Sequence, residues 1–517
     1  MKIISVKQMR HLDAITIDKG TPGEILMERA GEGVFYEILH FLSFYPKQYH
    51  QKICILTGKG NNAGDGYVIA RLFGQRTDYP VEVYSVCQKN ELQGNALNNA
   101  ERLPESVSLY QKITPPEFSK GTVVIDALLG TGIKGNLRSP YPEWIEVVNS
   151  SHCLVVAIDI PSGLNGDTGL TDSNPILADL TVTMALPKKG LLLPETLGIC
   201  GRIRTVDIGV DNKDINTLEG FGNAVFGDDV QSFLDRLPGN SHKGTQGTVN
   251  IVAGSRLYTG APVLSAIAAA RGGCGYVKLI VPNSIRNLLH NLPNSVILNE
   301  LDDENKGFFT FKSINALKKM DLANSVIIFG PGVGRNIESL GVLKEILKVD
   351  VPVVIDADGL FFLEKCRNLI EKRSFPTIIT PHPGEMRRII EKNIGKNDFS
   401  ISSNSERGEV ASIVAKKMKI YVILKGRGTI IASPDGDVSI NTSGNAALAT
   451  AGSGDVLTGL IGAFIAQSNS PVIDALKTAV FIHGRTGELS PYGERALIAD
   501  DIPALIGPAM RDISCFA

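Results

Sequence analysis

Ile53-Cys54-Ile55-Leu56-Thr57-Gly58-Lys59-Gly60-Asn61-Asn62-Ala63-Gly64-Asp65-Gly66 joins a short apolar run to a glycine-rich loop, and a helical pattern follows from about Tyr67. An apolar run of this length, bounded by glycine, reads as a buried strand. Such a strand needs like neighbours on both sides. The chain supplies them at residues 81–86, 123–127, 154–160, 180–184 and 203–206, with helical stretches between. Two helices, broken at Gly20-Thr21-Pro22-Gly23, precede the set over residues 5–42. Alternation at this spacing predicts a parallel, doubly wound sheet.

The pattern weakens into polar residues and short turns over residues 209–235, and a domain boundary is expected there. A second alternation starts at residues 248–253 and continues at 276–281, 325–329, 352–355, 376–379 and 421–424. Residues 429–433 and 437–441 form a hairpin pattern around Pro434-Asp435-Gly436. The expected fold is α/β with two different doubly wound domains, 1–222 and 223–517.

A chain of 517 residues is too long for one core and fits roughly two to four domains. A formal net charge of -2 argues against a nucleic-acid-binding or membrane-surface protein, which would carry a basic face. The seven cysteines are odd in number, scattered and without metal-ligand spacing, which implies a reducing compartment. The first seven residues break their apolar run with Lys7 and do not read as a secretion signal, and no apolar run is long enough to span a bilayer. A soluble, cytoplasmic protein is expected.

Three loops of the first half follow the carboxyl ends of predicted strands, where ligands gather in an open parallel sheet. The loop from Gly58 to Gly66 misses the dinucleotide fingerprint spacing by one residue, so hydride transfer is not implied. It offers Asn61, Asn62 and Asp65 on a phosphate-tolerant backbone. Asp126 and Asp159 each close an apolar strand, and Ser162 follows three residues after Asp159. Two carboxylates, an amide and a hydroxyl can bind a hard cation through oxygen or divide between binding and proton transfer. Turn and helix capping accounts well for Ser162 and poorly for the carboxylates.

These residues resemble the epimerase domain that opens the bifunctional NAD(P)H-hydrate repair enzymes. The likeness rests on residues 26–31, 61–66, 126–132 and 159–163 and on Pro187-Lys188-Lys189-Gly190. It implies a potassium ion (K+) held by Asn62, Asp126 and Ser162. It also implies that the hydrated nucleotide meets Asn61, Asn62, Ala63, Gly64 and Asp65, then Gly130, Thr131, Gly132, Ile133, Lys134, Gly135 and Asn136, and Asp159. The family usually has glycine where this chain has Ala63, and alanine there requires a backbone angle outside the left-handed region. Asp159 is the candidate for moving the proton as the ring hydroxyl is lost and regained.

In the second half Gly452-Ser453-Gly454-Asp455 opens an apolar helical pattern. Such a turn aims free N–H groups and the positive end of the helix dipole at an anion. Asp455 would repel a phosphate, but it suits a base beside one; the alternative is that Ser453 or Asp455 caps the helix. Further loops are Ala253-Gly254-Ser255, Gly330-Pro331-Gly332-Val333-Gly334, Asp356-Ala357-Asp358, Thr380-Pro381-His382-Pro383-Gly384-Glu385 and Lys425-Gly426-Arg427-Gly428-Thr429, with His242-Lys243-Gly244-Thr245-Gln246-Gly247 before the first strand. All are expected to collect around one crevice.

This set resembles the ribokinase-like family, and more narrowly its ADP/ATP-dependent NAD(P)H-hydrate dehydratases, from about residue 238 to 505. The resemblance implies a hydrate site of Ala253, Gly332, Gly334, His382, Pro383, Gly384 and Glu385, faced by Asp455 as catalytic base. It implies an ADP or ATP site of Lys425, Gly426, Arg427, Gly428, Thr429, Asn445, Gly452, Ser453 and Gly454, with Mg2+. The implied small-molecule partners are NADHX and NADPHX, the hydrates of NADH and NADPH, and ADP or ATP; a homo-oligomer without nucleic acid or membrane is expected. Two rival readings are a small-molecule kinase fused to a nucleotide-binding domain, and a non-catalytic scaffold. The retained Asp126, Asp159 and Asp455 count against the scaffold.

Overall fold

The computed structural model describes residues 1–112, 114–132, 135–171, 174–393, 404–467 and 470–514. The chain divides into two compact units, Met1–Ala224 and Val225–Ala517.

The first unit begins with the helix Val6–Asp18, whose capping box pairs Ser5 with Gln8, and continues with the helix Gly23–Leu42. Its strands are β1 (Lys52–Thr57), β2 (Val81–Ser85), β3 (Val107–Gln111), β4 (Thr122–Ala127), β5 (Leu154–Ile158), β6 (Leu180–Met184) and β7 (Arg202–Val206). Among the described residues these seven form one sheet in the order β3-β2-β1-β4-β5-β6-β7, and every pairing is parallel. β1, β4 and β5 lie side by side, so the loops that follow them open at one edge of the sheet. The helix Asn61–Arg76 packs close on the strands, because a Cβ on Gly66 would stand 2.7 Å from that of Ala127.

The strands of the second sheet are β8 (Asn223–Val225), β9 (Thr248–Val252), β10 (Tyr276–Pro282), β11 (Ile297–Leu301), β12 (Val326–Phe329), β13 (Val353–Ile355), β14 (Thr377–Ile379), β15 (Tyr421–Leu424), β16 (Ile430–Ala432) and β17 (Val438–Asn441). Among the described residues the order is β11-β10-β9-β12-β13-β14-β15-β16-β17-β8. β9 to β15 pair in parallel, β16 and β17 form the expected antiparallel hairpin, and β15 pairs antiparallel with β16. No described helix is long and apolar enough to cross a membrane.

The structure adds three strands to the expected set, β3, β8 and β11, and each is a sheet edge. β3 alternates buried with exposed residues, so it lacks the continuous apolar run by which the central strands are recognised. It also corrects the start of the third helix. This begins at Asn61, not near Tyr67, so Asn61 to Asp65 form its first turns. Ala63 is therefore helical, and no left-handed angle is asked of it.

The helix Ser453–Gln467 is buried on nearly every face and lies on the helix Gly260–Arg271. Small residues permit the approach: a Cβ on Gly459 would stand 2.1 Å from the Ser265 carbonyl oxygen. Gly459→Ala should therefore lower stability by about 1–3 kcal/mol through overpacking. Gly408→Ala, inside the helix Asn404–Met418 with Val438 Cγ1 at 3.4 Å as the neighbour an added carbon would meet, should be neutral or raise it by about 0.5–1 kcal/mol. Urea unfolding of the two variants checks both signs.

Candidate active sites

Asp126 is the penultimate residue of β4 and is fully buried. Its Oδ1 accepts from the Ser162 hydroxyl at 2.6 Å and the Leu128 N–H at 3.1 Å, and its Oδ2 from the Ser162 N–H at 2.8 Å. The Ser162 hydroxyl oxygen in turn accepts the Leu129 N–H at 2.9 Å. Asn62 Nδ2 donates to the Leu129 carbonyl at 3.0 Å. Asn62, Asp126 and Ser162 thus meet in one oxygen-rich knot at the ends of β4 and β5. Burial pushes the Asp126 carboxyl up to about 6, against the hydrogen bonds from Ser162 and Leu128. One carboxylate among neutral oxygens suits a monovalent hard cation. No cluster of three or more His, Cys, Asp and Glu side chains with metal-holding geometry exists among the described residues.

Asp159 follows β5 with φ +64°, a strained angle for a non-glycine residue. Its Oδ1 accepts from Lys188 Nζ at 2.6 Å and from the Thr183 hydroxyl at 3.0 Å. Lys188 is only 1% exposed and also reaches Thr183 Oγ1 at 2.9 Å and the Met184 carbonyl at 3.1 Å. Desolvation, then Asp159 and Asp13, press the Asp65 carboxyl well above its usual range, with Lys188 opposing. Asp13 is raised too, by burial first and also by Asp159, with Lys188 again opposing. One buried cation therefore serves three acids. They line a cavity of about 690 Å³ together with Asn61, Asn62, Gly130, Thr131 and Gly132.

Other expected residues fall elsewhere. Ala63 and Gly64 are buried in the helix, where a Cβ on Gly64 would stand 2.5 Å from the Met27 sulfur. Gly135 and Asn136 are not among the cavity's lining residues, and Ile133 and Lys134 lie outside the described residues. Sequence reasoning missed Asp13, and it quoted Lys188 without giving it a role. The available signal was a lysine set in the apolar stretch around Leu186 and Leu191.

In the second unit Asp356 follows β13, Lys425 follows β15, and Asp455 sits in the first turn of the helix Ser453–Gln467. Asp356 is buried; its Oδ1 accepts Lys425 Nζ at 2.8 Å and its Oδ2 the Thr458 hydroxyl at 2.6 Å. The Lys425 ammonium stands 3.2 Å from where a Cβ on Gly454 would be, against the open end of that helix. Burial, then Asp356, push Asp455 up to about 7; Asp358 and Glu385 add to the rise and Lys425 opposes it. His483 Nε2 faces the Ser453 carbonyl at 3.0 Å, and burial holds its ring neutral, down to about 4.

A cavity of about 480 Å³ opens beside this group. Lys425, Gly426, Arg427, Thr429, Asn445, Ser453 and Gly454 line its polar side, and Leu448, Leu457 and Val480 its apolar wall. Gly428 (φ +61°) and Gly452 (φ +95°) shape the turns without lining it. The buried guanidinium of Arg407 donates to the carbonyls of Leu424, Lys425 and Arg427 and so fixes the lysine turn.

Gly332 (φ +65°) and Gly334 (φ +73°) follow β12; Ser255 Oγ donates to the Gly332 carbonyl at 2.7 Å, and the Gly334 N–H to Asp358 Oδ2 at 3.0 Å. Ala253 follows β9 and is buried. His382 Nδ1 accepts the Gly384 N–H at 3.0 Å while Glu385 Oε2 accepts the His382 N–H at 2.9 Å, so this histidine caps the helix Pro383–Asn393. His242 to Gly247 do not join the crevice. They precede β9 at the amino edge of the sheet, and Gly247 packs on the Ala466 carbonyl at the far end of the helix that carries Asp455.

The family model of NAD(P)H-hydrate dehydratase matches residues 249–503, and that of the YjeF-related protein N-terminus matches residues 23–190. The bifunctional NAD(P)H-hydrate repair enzyme Nnr of Moorella thermoacetica is 32% identical over 99% of this chain and 97% of its own. Its counterpart from Thermofilum pendens is 33% identical over 95% and 92%. The chain belongs to the family of bifunctional NAD(P)H-hydrate repair enzymes. The ADP/ATP-dependent NAD(P)H-hydrate dehydratase of Bacillus subtilis, co-crystallised with ATP and Mg2+, is 27% identical, with 56% of this chain and 99% of that chain covered and a TM-score of 0.48.

His483 is a part of this repair-enzyme site to which sequence gives no pointer. The fold keeps its ring neutral, whereas an unfolded chain takes up a proton below the ordinary value of 6.5. Its contribution is therefore complete above pH 6.5 and is lost as pH falls toward 4. The stability difference between wild type and His483→Gln should change by on the order of 3 kcal/mol between pH 7 and pH 4. Urea unfolding at both pH values measures it.

Proposed function

We propose that the chain repairs hydrated nicotinamide dinucleotides in two steps, exchanging the R and S hydrates in the first unit and dehydrating the S form in the second at the expense of ADP or ATP. Full-length kinship with bifunctional repair enzymes, joined to two separate sets of buried strand-end acids, carries this reading.

In the first unit the substrate ring enters the cavity between Asp159 and Asp65. Asp159 moves the proton as the ring hydroxyl leaves and returns, and Lys188 holds its carboxylate at one angle. Asp65, whose carboxyl its surroundings press well above the usual range, is placed to donate. Asn62, Asp126 and Ser162 would hold potassium, whose charge offsets the buried carboxylate and orders the neighbouring loop. A cytoplasmic homo-oligomer belongs to the same reading and rests on the resemblance.

In the second unit hydroxide is a poor leaving group and phosphate a good one. Asp455 takes the proton of the ring hydroxyl, and the freed oxygen attacks the terminal phosphoryl of ADP or ATP and displaces AMP or ADP. Lys425 and the amides of the Gly452-Ser453-Gly454 turn stabilise the charge on the transferred group. The ring nitrogen then expels phosphate to leave an iminium, and loss of a proton to solvent from the ring carbon next to the one that bore the hydroxyl restores the dihydronicotinamide. Magnesium brought in on the nucleotide would neutralise part of the phosphate charge. The apolar wall of Leu448, Leu457 and Val480 gives the base of the nucleotide a dry face.

Asp455→Asn should lower dehydration at least 10²-fold with either nucleotide while leaving nucleotide affinity within a few-fold, since the amide keeps the shape but cannot accept the proton. Return of the near-ultraviolet absorbance of the dihydronicotinamide gives the rate, and calorimetry the affinity. Near-normal turnover would return Asp455 to a helix-cap role.

Asp159→Asn should leave consumption of the S hydrate unchanged and slow loss of the R hydrate to its spontaneous rate. Exchanging potassium for lithium should weaken the same step. Chromatography that resolves the two epimers reads both effects.

A further inference from the structure

A lysine ammonium at the amino end of a helix is badly placed, because the unpaired N–H groups there already carry a partial positive charge. Lys425 nevertheless stands against the first turn of the Ser453–Gln467 helix, 3.2 Å from the position of a Cβ on Gly454. Its long, flexible stem loses rotamer entropy in staying there. Something must hold it.

Asp356 is the group in position to do so. Its side chain is 1% exposed and does not line the nucleotide cavity, whereas Lys425 lines it with 20% of its side chain open. One carboxylate oxygen takes the ammonium at 2.8 Å, and the other takes Thr458 Oγ1 at 2.6 Å. Thr458 lies one turn beyond Gly454 in the same helix, so the end of β13 ties the end of β15 to the phosphate turn. A lysine ammonium has three donors, and Asp356 is the one carboxylate bonded to Lys425 among the described contacts.

We propose that Asp356, braced by Thr458, is the positioning residue of the dehydratase site: it holds Lys425 against the helix so that ammonium and backbone amides grip one phosphate together. This rests on the dehydratase reading above. The charge that anchors Lys425 also presses on Asp455, which faces Asp356, Asp358 and Glu385 as negative groups and Lys425 as the positive one; His483 nearby is neutral. Removing the Asp356 charge takes away repulsion and so favours ionised Asp455.

The test is steady-state dehydration of the S hydrate by the full chain from pH 5.5 to 9, with ADP and ATP. Asp356→Asn should raise the nucleotide KM about tenfold, the worth of one charge-assisted bond, and move the acid limb of the kcat/KM profile down by up to about one pH unit. A folded variant with the wild-type KM and the wild-type acid limb overturns the proposal, since a merely structural Asp356 would lower only the stability and the active fraction. If Asp356→Asn does not fold, the Thr458 pair decides. Thr458→Val raising the KM with Thr458→Ser restoring it supports the role, and Thr458→Val with an unchanged KM overturns it. The wild-type control separates the two readings: no dehydration there refutes the function itself, whereas active wild type with indifferent variants refutes only the positioning role.

Discussion

Moving a carboxylate from water into packed protein costs several kcal/mol unless donors or a cation replace the lost water. Both units place acids at the ends of buried parallel strands, and the surroundings are arranged around that cost. Asp126 is met by the amide and hydroxyl of Ser162, Asp159 by Lys188, and Asp356 by Lys425. Asp65 and Asp455 have no such bonded partner among the described residues, and their carboxyls rise, as that of Asp126 does in spite of its hydrogen bonds. On the proposed reading Lys188 orients Asp159 for its proton transfer, and Asp455, raised to about 7, can exchange a proton at physiological pH.

The same logic explains the use of small residues. A helix end can approach a phosphate only if nothing stands between its amides and the ligand, and it can be held there only by close packing along its length. Gly459 against the Ser265 carbonyl and Gly462 against Ile328 bring the Asp455 helix onto its neighbours, while Gly454 leaves room for the Lys425 ammonium. In the first unit Gly66 does the same against Ala127. These glycines fix the distance between chemistry and scaffold.

How much of this could be read from sequence follows from the range of each signal. Central strands are legible because burial on both faces writes a continuous apolar run, whereas β3, β8 and β11 are edges and do not. The helix start at Asn61 is hidden because Asn, Gly and Asp are poor helix formers and resemble a loop. Asp126, Asp159 and Asp455 are legible as charges closing apolar runs or opening a glycine turn. Their partners are not. Lys188 lies 29 residues from Asp159, and Asp356 lies 69 from Lys425, so only the parallel sheet brings them together. His382, whose local setting suggests a ligand contact, also has its Nδ1 engaged in capping a helix, a second role that sequence does not reveal.

On the proposed reading, dehydration is phosphoryl transfer followed by elimination, fed by a separate epimerase. The most direct measurement gives the wild-type chain a mixture of R and S hydrates and follows each epimer, phosphate and dihydronicotinamide absorbance together, with and without ATP. The account predicts that with ATP both epimers vanish and one phosphate appears for each dihydronicotinamide restored. Without nucleotide the epimers should interconvert and no absorbance should return. Absorbance regained without phosphate release, or a stable phosphorylated product in its place, would contradict it.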